Sequence, residues 1–525
     1  MDEPGDIQKP DKGYYFKFFN PTTDIKLIRF FLQDNNFIEL HQQNNGFQQQ
    51  NLLSSAHSSL TRKHEKGFQQ NWTIMWSCSI MKSNVFQSMS KYQKINHFPK
   101  SFELTRKDFM FERLSRMISI HGKRHFNFTP MTYVLPKEYE TLQNEMSENP
   151  QQWWIIKPSN SAQGKGIYIT NDFRDVNQSM QTKQPLVASH YIGNPLLING
   201  LKFDLRIYVT IMSINPLRVY IYDEGLARFA TCKYSDVANE TKANRYMHLT
   251  NYSINKFNKK AFVQNNDPDK MNGTQGSKWS LAALRKELGV MGIDSDSLFR
   301  KIEDIVLKTI ISSEPILNNA FEMFVPHRSN CFELLGFDIL IDSNLNPWLL
   351  EVNLSPSLAC DSLLDQQIKA PLISDLFNLA GFVDLEYQKF VNQIQRQKKE
   401  GNDTSDNRAN SSQRDSSILN NSNKNIAQKV KKIKIASIKA QTFQDPMIAQ
   451  LISSPTFQGL PKLQKQIVKE SLEEALRRGQ FKMIFPNERF MYYKTFFEED
   501  RPLNILVDKI YKDLRVYLNM YQFTQ

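Results

Sequence analysis

Apolar residues along this 525-residue chain keep two rhythms: short solid or alternating runs, and longer stretches spaced three and four apart. The first rhythm predicts strands and the second amphipathic helices. From 14 to 40 the order is strand, helix, strand (YYFKFF, DIKLIRFFLQDN, NFIEL). Packed structure resumes at WTIMW, 72–76. After a turn at Pro99 and Ser101 a helix is predicted over 107–120, with Phe109, Leu114, Met117 and Ile118 as its apolar positions. Strands are predicted at 153–158, 167–170, 186–192, 195–198, 202–209, 217–222 and 226–231. Amphipathic helices at 281–288 and 297–310 lead to a hairpin over 331–353. A helix over 365–378 follows, which Pro371 is expected to break or kink.

The hairpin interrupts its own pattern. CFELLGFDILIDSNLNPWLLEVN has apolar runs on both sides of the turn-prone 342–346, yet carries Asp338, Glu351 and Asn353 within them. With Asp342 opposite Pro347, Asp338 lies opposite Glu351 and Gly336 opposite Asn353, so the three polar side chains share one face. Opposed carboxylates repel, and half-buried ones need a cation between them. Oxygen donors without His or Cys favour a hard ion such as Mg²⁺ held with nucleotide phosphates. The plain alternative is an ordinary hairpin whose acids face solvent.

Other stretches also carry polar residues in strand-like settings. WWIIKP delivers Lys157 into the loop SNSAQGKG, with Gly164 and Gly166, and a strand leaves it. That is the form of a flap covering phosphates, since glycines admit close backbone approach and the ammonium meets phosphate charge. No GK[ST] follows, so it is not a Walker loop, and plain hairpin turns carry GxG as well. KFDLR places Lys202, Asp204 and Arg206 on one face, which also suits a solvent-facing edge. HLTNYS, 248–253, is polar without the character of a surface loop. His121 and His125 have metal-ligand spacing, but Gly122 lies between them and no third ligand is near, which favours solvated side chains.

Composition narrows the field. The net charge of +12 points to an acidic partner; no groove-reading motif supports nucleic acid. Cys78, Cys232, Cys331 and Cys360 form no CxxC pair and read as buried thiols of a reducing compartment. The N-terminus lacks a basic-then-apolar leader, and no apolar run approaches the ~18 residues of a membrane helix. The expectation is a soluble intracellular monomer with no membrane contact. Its length suggests roughly two to four domains. Residues 41–70, rich in Gln, Asn and Ser, read as a disordered insertion, 259–276 as an Asn- and Asp-rich loop, and 391–425 as a disordered linker. Lys429, Lys431, Lys432, Lys434 and Lys439 then form a basic run without an acid, either a solvated face or, as its imbalance favours, a dock for an acidic surface. A helix at 461–478 and an aromatic-rich stretch at 481–497 follow.

In this order the Lys157 strand with its Gly loop, KFDLR, HLTNYS and the FD…EVN hairpin resemble the tubulin tyrosine ligase-like family, over about 14–390 apart from the insertion. KSFELTRKD, FVPHRSNCFEL and WLLEVNLSPSLACD are most similar to its polyglutamylase branch. The resemblance implies an α/β ATP-grasp fold with N-terminal (12–97), central (98–187) and C-terminal (188–390) domains and a basic helical extension, 426–525, that binds microtubules. It implies ATP as cosubstrate, with phosphates at Lys157, Gln163 and Gly164 and adenine along Ser189, His190, Tyr191 and Ile192. Lys202, Asp204, Thr250 and Asn251 would also meet the nucleotide, and Asp338, Glu351 and Asn353 would hold Mg²⁺. Arg228, Tyr252, Ser253, Lys278 and Lys369, with Gln163, would hold free L-glutamate, and Arg206 would stabilise the transferring phosphoryl group beside Lys157 and Glu351. The implied reaction joins glutamate, through an acylphosphate, to γ-carboxyls in the acidic C-terminal tails of tubulin. The implied setting is the cytoskeleton of cytoplasm, cilium and basal body. Glycine or tyrosine ligation on the same fold, or a non-catalytic microtubule binder, are the alternatives. Gln163 matches chain-elongating members and Leu354 chain-initiating ones, so that choice stays open.

Overall fold

The computed structural model describes residues 14–40, 72–161, 164–182, 184–236, 244–264, 276–382 and 452–520. The insertion at 41–70, the linker at 391–425, the basic run at 429–439 and Gln163 lie outside the described residues.

Three sheets divide the strands among the described residues. The first is parallel, in the order β2-β1-β3-β4: β1 (Tyr14–Phe19), β2 (Phe37–Glu39), β3 (Ile74–Ser77) and β4 (Lys94–Ile95). The helix Lys26–Asp34 buries Leu27, Ile28, Phe31 and Leu32, the i, i+1, i+4, i+5 stripe that its sequence dictates. The second sheet is antiparallel, in the order β5-β8-β6-β7: β5 (Thr132–Leu135), β6 (Trp154–Pro158), β7 (Tyr168–Thr170) and β8 (Leu186–His190). Its own small core joins Tyr133, Leu142, Trp154 and Val176. Because β8 belongs to this sheet, the boundary drawn at 187/188 falls inside a strand.

The third sheet organises the rest. β9 (Leu197–Ile198), β10 (Leu201–Ile214), β11 (Leu217–Phe229), β12 (Lys278–Ser280), β13 (Glu333–Ile341), β14 (Pro347–Asn353) and β15 (Phe481–Phe485) run as β12-β11-β10-β13-β14, with β9 beside β10 and β15 beside β11. One face of β10 sends Phe203, Leu205, Ile207 and Val209 into the largest core; the opposite face places Tyr208 in another. The helix Ser295–Phe324 supplies Ile302, Val306 and Ile310 to the first of these, and Leu363–Ala380 supplies Leu372, Ile373 and Leu376 to the second.

The structure alters several expectations. KFDLR is not a solvent edge: β10 lies between β11 and β13, and Lys202 and Asp204 are buried. The strands expected at 217–222 and 226–231 are the single strand β11. Pro371 does not end its helix, nor does Pro315 end the 30-residue one. Each proline removes one intrahelical bond, and the burial of Leu372 and Leu376, or of Leu317 and Phe321, carries the helix onward. His121 and His125 are only partly solvated: His121 meets Phe496 edge-on at 5.1 Å between centroids, and His125 Nδ1 lies 3.2 Å from the Tyr492 hydroxyl.

The described part of the C-terminal extension is largely helical, as expected, and it also adds a strand to the third sheet. β15 pairs with β11, and Glu474, from the helix Lys462–Leu476, receives Arg218 at 2.8 Å in a buried ion pair. Apolar β-rich positions such as FKMIF find an unpaired strand edge and close it.

Candidate active site

The site begins as a row of charges across four strands. Register sets Asp204 opposite Arg228 on β11 and Arg206 opposite Asp338 on β13. Asp338 in turn faces Glu351 on β14. Arg228 donates to both Asp204 oxygens, at 2.7 and 2.5 Å, and reaches Asp338 Oδ2 at 2.8 Å. Arg206 grips Asp338 from the other side at 2.6 and 3.2 Å. Burial pushes Asp338 up, but Arg206 and then Arg228 outweigh it and hold the carboxyl well below its usual range.

The hairpin register differs from the expected one. Pro347 pairs with Ile341, not Asp342, because Asp342 turns its carboxylate inward to accept the Asn344 and Asn346 amides and the Trp348 indole. A bulge between Asp338 and Ile339 absorbs the one-residue shift and restores the Asp338–Glu351 and Gly336–Asn353 pairs. The cation beside Asp338 is guanidinium, and Glu351 has its own: Lys107 Nζ lies 3.0 Å from Glu351 Oε2. Opposed carboxylates are thus already compensated by protein charges.

The row borders an open cleft of ≈ 670 Å³. Lys157, His190, Tyr191, Ile192, Lys202, Asp204, Thr250 and Asn251 line it, with Asp338 and Glu351. Ser189 does not: strand alternation turns its hydroxyl to Thr132, 2.8 Å away. Burial lowers Lys157 to about 8 and Lys202 to about 7. Lys202 donates to the Tyr191 hydroxyl at 2.9 Å, which meets His248 Nδ1 at 2.8 Å. Gly164 has φ +72°, and a Cβ there would lie 2.5 Å from Ile254 Cδ1 and 3.3 Å from Asn251 Oδ1. Only glycine lets the flap tip rest on the 251–254 segment with this positive φ.

A second cluster continues the row. Lys278 sits opposite Arg228, and its ammonium lies 3.9 Å from the Tyr252 ring centroid. Lys278 and Lys369 both pair with buried Asp365, at 2.8 and 2.9 Å. Ser253 lies apart from these, in a second cleft with Gly164. Sequence reasoning missed Asp365, which sets the positions of two expected substrate-binding lysines, and Lys107, which joins Glu351 to the Ser161 carbonyl at 3.1 Å. Lys107 stands in KSFELTRKD, but no periodicity marks it, because its partners lie far along the chain.

The donor set suits a hard cation. Asp338, Glu351 and Asn353 offer only oxygen, and Asn353 Nδ2 donates to Gly336 O and Glu351 Oε1, which aims its amide along that face. No group of three acidic, His or Cys side chains capable of holding a metal gathers among the described residues. An ion held here would complete its shell with phosphate oxygens and water.

The tubulin-tyrosine ligase family profile matches residues 86–389. Human tubulin polyglutamylase TTLL5 is 41% identical over 383 residues, 73% of this chain and 27% of that protein. Mouse tubulin monoglutamylase TTLL4 is 40% identical over 452 residues, 85% of this chain and 36% of its own, and human tubulin polyglutamylase TTLL13 is 39% identical over 362, 67% and 43%. The chain thus spans about a quarter to two fifths of the curated relatives it matches. With 304 consecutive residues under one family profile, laid out on an ATP-grasp α/β frame, the chain belongs to the tubulin-tyrosine ligase family.

Proposed function

We propose that this protein is an ATP- and Mg²⁺-dependent ligase that joins free L-glutamate to γ-carboxyls of glutamates in tubulin tails. The observation that carries the reading is the buried row Glu351–Asp338–Arg206–Asp204–Arg228, bordered by a cleft with two desolvated lysines. So many ionised groups in one interior strip are costly to fold and mark a site that handles charged reactants. The names of the relatives supply the substrate class.

A carboxylate is a poor electrophile. One of its oxygens attacks the γ-phosphorus of ATP, ADP leaves, and an acylphosphate remains. The amine of glutamate then attacks the carbonyl carbon, phosphate departs with that oxygen, and the ammonium proton goes to solvent. The protein need not donate a nucleophile; it aligns and neutralises. Lys157, Lys202 and Gly164, with Gln163, take the phosphates, and His190, Tyr191, Ile192, Asp204, Thr250 and Asn251 the rest of the nucleotide. Asp338, Glu351 and Asn353 would hold the cation, which would supply positive charge for the phosphates. Arg206 faces the transferring group, while Arg228, Tyr252, Lys278 and Lys369 hold the incoming dicarboxylic amino acid; Ser253, which lines the second cleft, falls outside that set.

The lysines make nucleotide binding a proton-coupled event. Their lowered folded values against 10.5 in the unfolded chain mean they oppose folding fully below pH 7, and the penalty fades as pH rises from there toward 10.5. Phosphate restores their charge. At pH 8, ATP binding is therefore expected to take up about one proton, read by calorimetry in two buffers of different ionisation enthalpy. Equal heats in both buffers would contradict it.

The activity test incubates the full chain with microtubules, ATP, Mg²⁺ and isotopically labelled glutamate, glycine or tyrosine, followed by peptide mass mapping. Incorporation of glutamate alone is expected. Glycine or tyrosine in its place would assign another ligase of the same fold; no incorporation with normal ATP binding would leave a microtubule binder.

A further inference from the structure

Beyond the phosphate flap lies a second, wider cleft of ≈ 1100 Å³. The two clefts share one partition. Leu249, Thr250 and Asn251 face the first, Ser253, Ile254 and Lys256 the second, and the flap tip at Gly164 rests between them. The described lining of the second cleft holds Lys165, Arg245 and Lys256 and no carboxylate. Arg245 donates to the Gly164 carbonyl at 3.3 Å, which ties this wall to the flap. Phe257, a residue 67% exposed, stands beside Lys256 with its ring centroid 5.5 Å from the ammonium. Three cations crowded into one concavity attract a polyanion, and a large ring left in water offers an apolar contact beside them.

The geometry points to an acceptor site in this cleft: an acidic peptide segment lies along Lys165, Arg245 and Lys256, sets an apolar side chain against Phe257, and delivers the carboxylate to be modified to the flap tip at Gly164. The inference rests on the ligase reading and adds where the acceptor lies and what it must contain. Nucleotide and acceptor then approach the flap from opposite sides. A polynucleotide fits less well, because the cleft ends at the flap, where a carboxylate has a use and a phosphodiester has none.

The test uses the full chain and a fluorescent Glu-rich decapeptide bearing one Phe, with binding read by anisotropy. Lys256 and Phe257 are exposed, so Lys256→Glu/Phe257→Ala leaves the core intact, and unchanged ATP affinity checks this. The double variant is expected to bind the peptide at least about tenfold more weakly, with ATP affinity within about twofold. Lys256→Arg/Phe257→Leu should stay within about threefold of wild type. Equal peptide affinity in wild type and the Glu/Ala variant overturns the site. So does a deoxythymidine decamer that displaces the peptide better than unlabelled peptide does, since the cleft would then serve nucleic acid. Groove-dependent peptide binding without any glutamate incorporation upholds the site and removes the ligase reading. Incorporation with an unchanged KM for the peptide in the Glu/Ala variant does the reverse.

Discussion

Glu351→Gln is expected to cut turnover by about two to four orders of magnitude, the equivalent of several kcal/mol of lost charge stabilisation at the cation. The side chain keeps its shape and its neighbour Asn353, so the loss is electrostatic. Glu351 is also the partner of Lys107 at 3.0 Å, with side chains 20% and 9% exposed. Removing its charge leaves a nearly buried ammonium unpaired, and a stability loss of about 1–3 kcal/mol should accompany the kinetic one. Single-turnover rates at saturating ATP, with denaturant melts of the same samples, separate the two effects. Turnover within tenfold of wild type would remove Glu351 from the proposed cation site.

The second large effect is on folding. Arg228→Met keeps the aliphatic bulk and removes the cation shared by Asp204 and Asp338. Asp338 retains Arg206, but Asp204, only 4% exposed, loses its guanidinium. An uncompensated buried charge of this kind costs about 3–5 kcal/mol, so the urea midpoint should fall sharply and activity with it. Adding Asp204→Asn removes the orphaned charge and should return part of the loss. A single variant within about 1 kcal/mol of wild type, or a double variant no better than the single, would show that the row is not coupled in this way.

Both predictions depend on residues whose identity was legible in the chain and whose partners were not. Asp338, Glu351 and Asn353 stood out as polar residues in apolar strand runs, and period-two alternation alone put them on one face. The same alternation placed Lys202, Asp204 and Arg206 together. It could not say whether that face met water, because edge and centre of a sheet read alike until the neighbouring strands are known. Pairing with β11 and β13 decided it. The hairpin shows the limit at the scale of one residue. The expected Asp338–Glu351 pair exists, but through a bulge near Leu350 and a carboxylate-filled turn, two compensating departures that no count along the sequence reveals.

The sequence by itself determined the strand and helix content that positions the site, the family, and most of the side chains around the first cleft, since each follows from local spacing or short motifs. Only the tertiary structure decided which charge neutralises which. Lys107 meets Glu351 across 244 residues of chain and Asp365 meets Lys278 across 87. It also carried β15 back onto β11 to complete the sheet. Ion pairs and strand edges are satisfied by whatever the fold brings within a few ångströms, and that distance is a property of the folded chain, absent from the order of its residues.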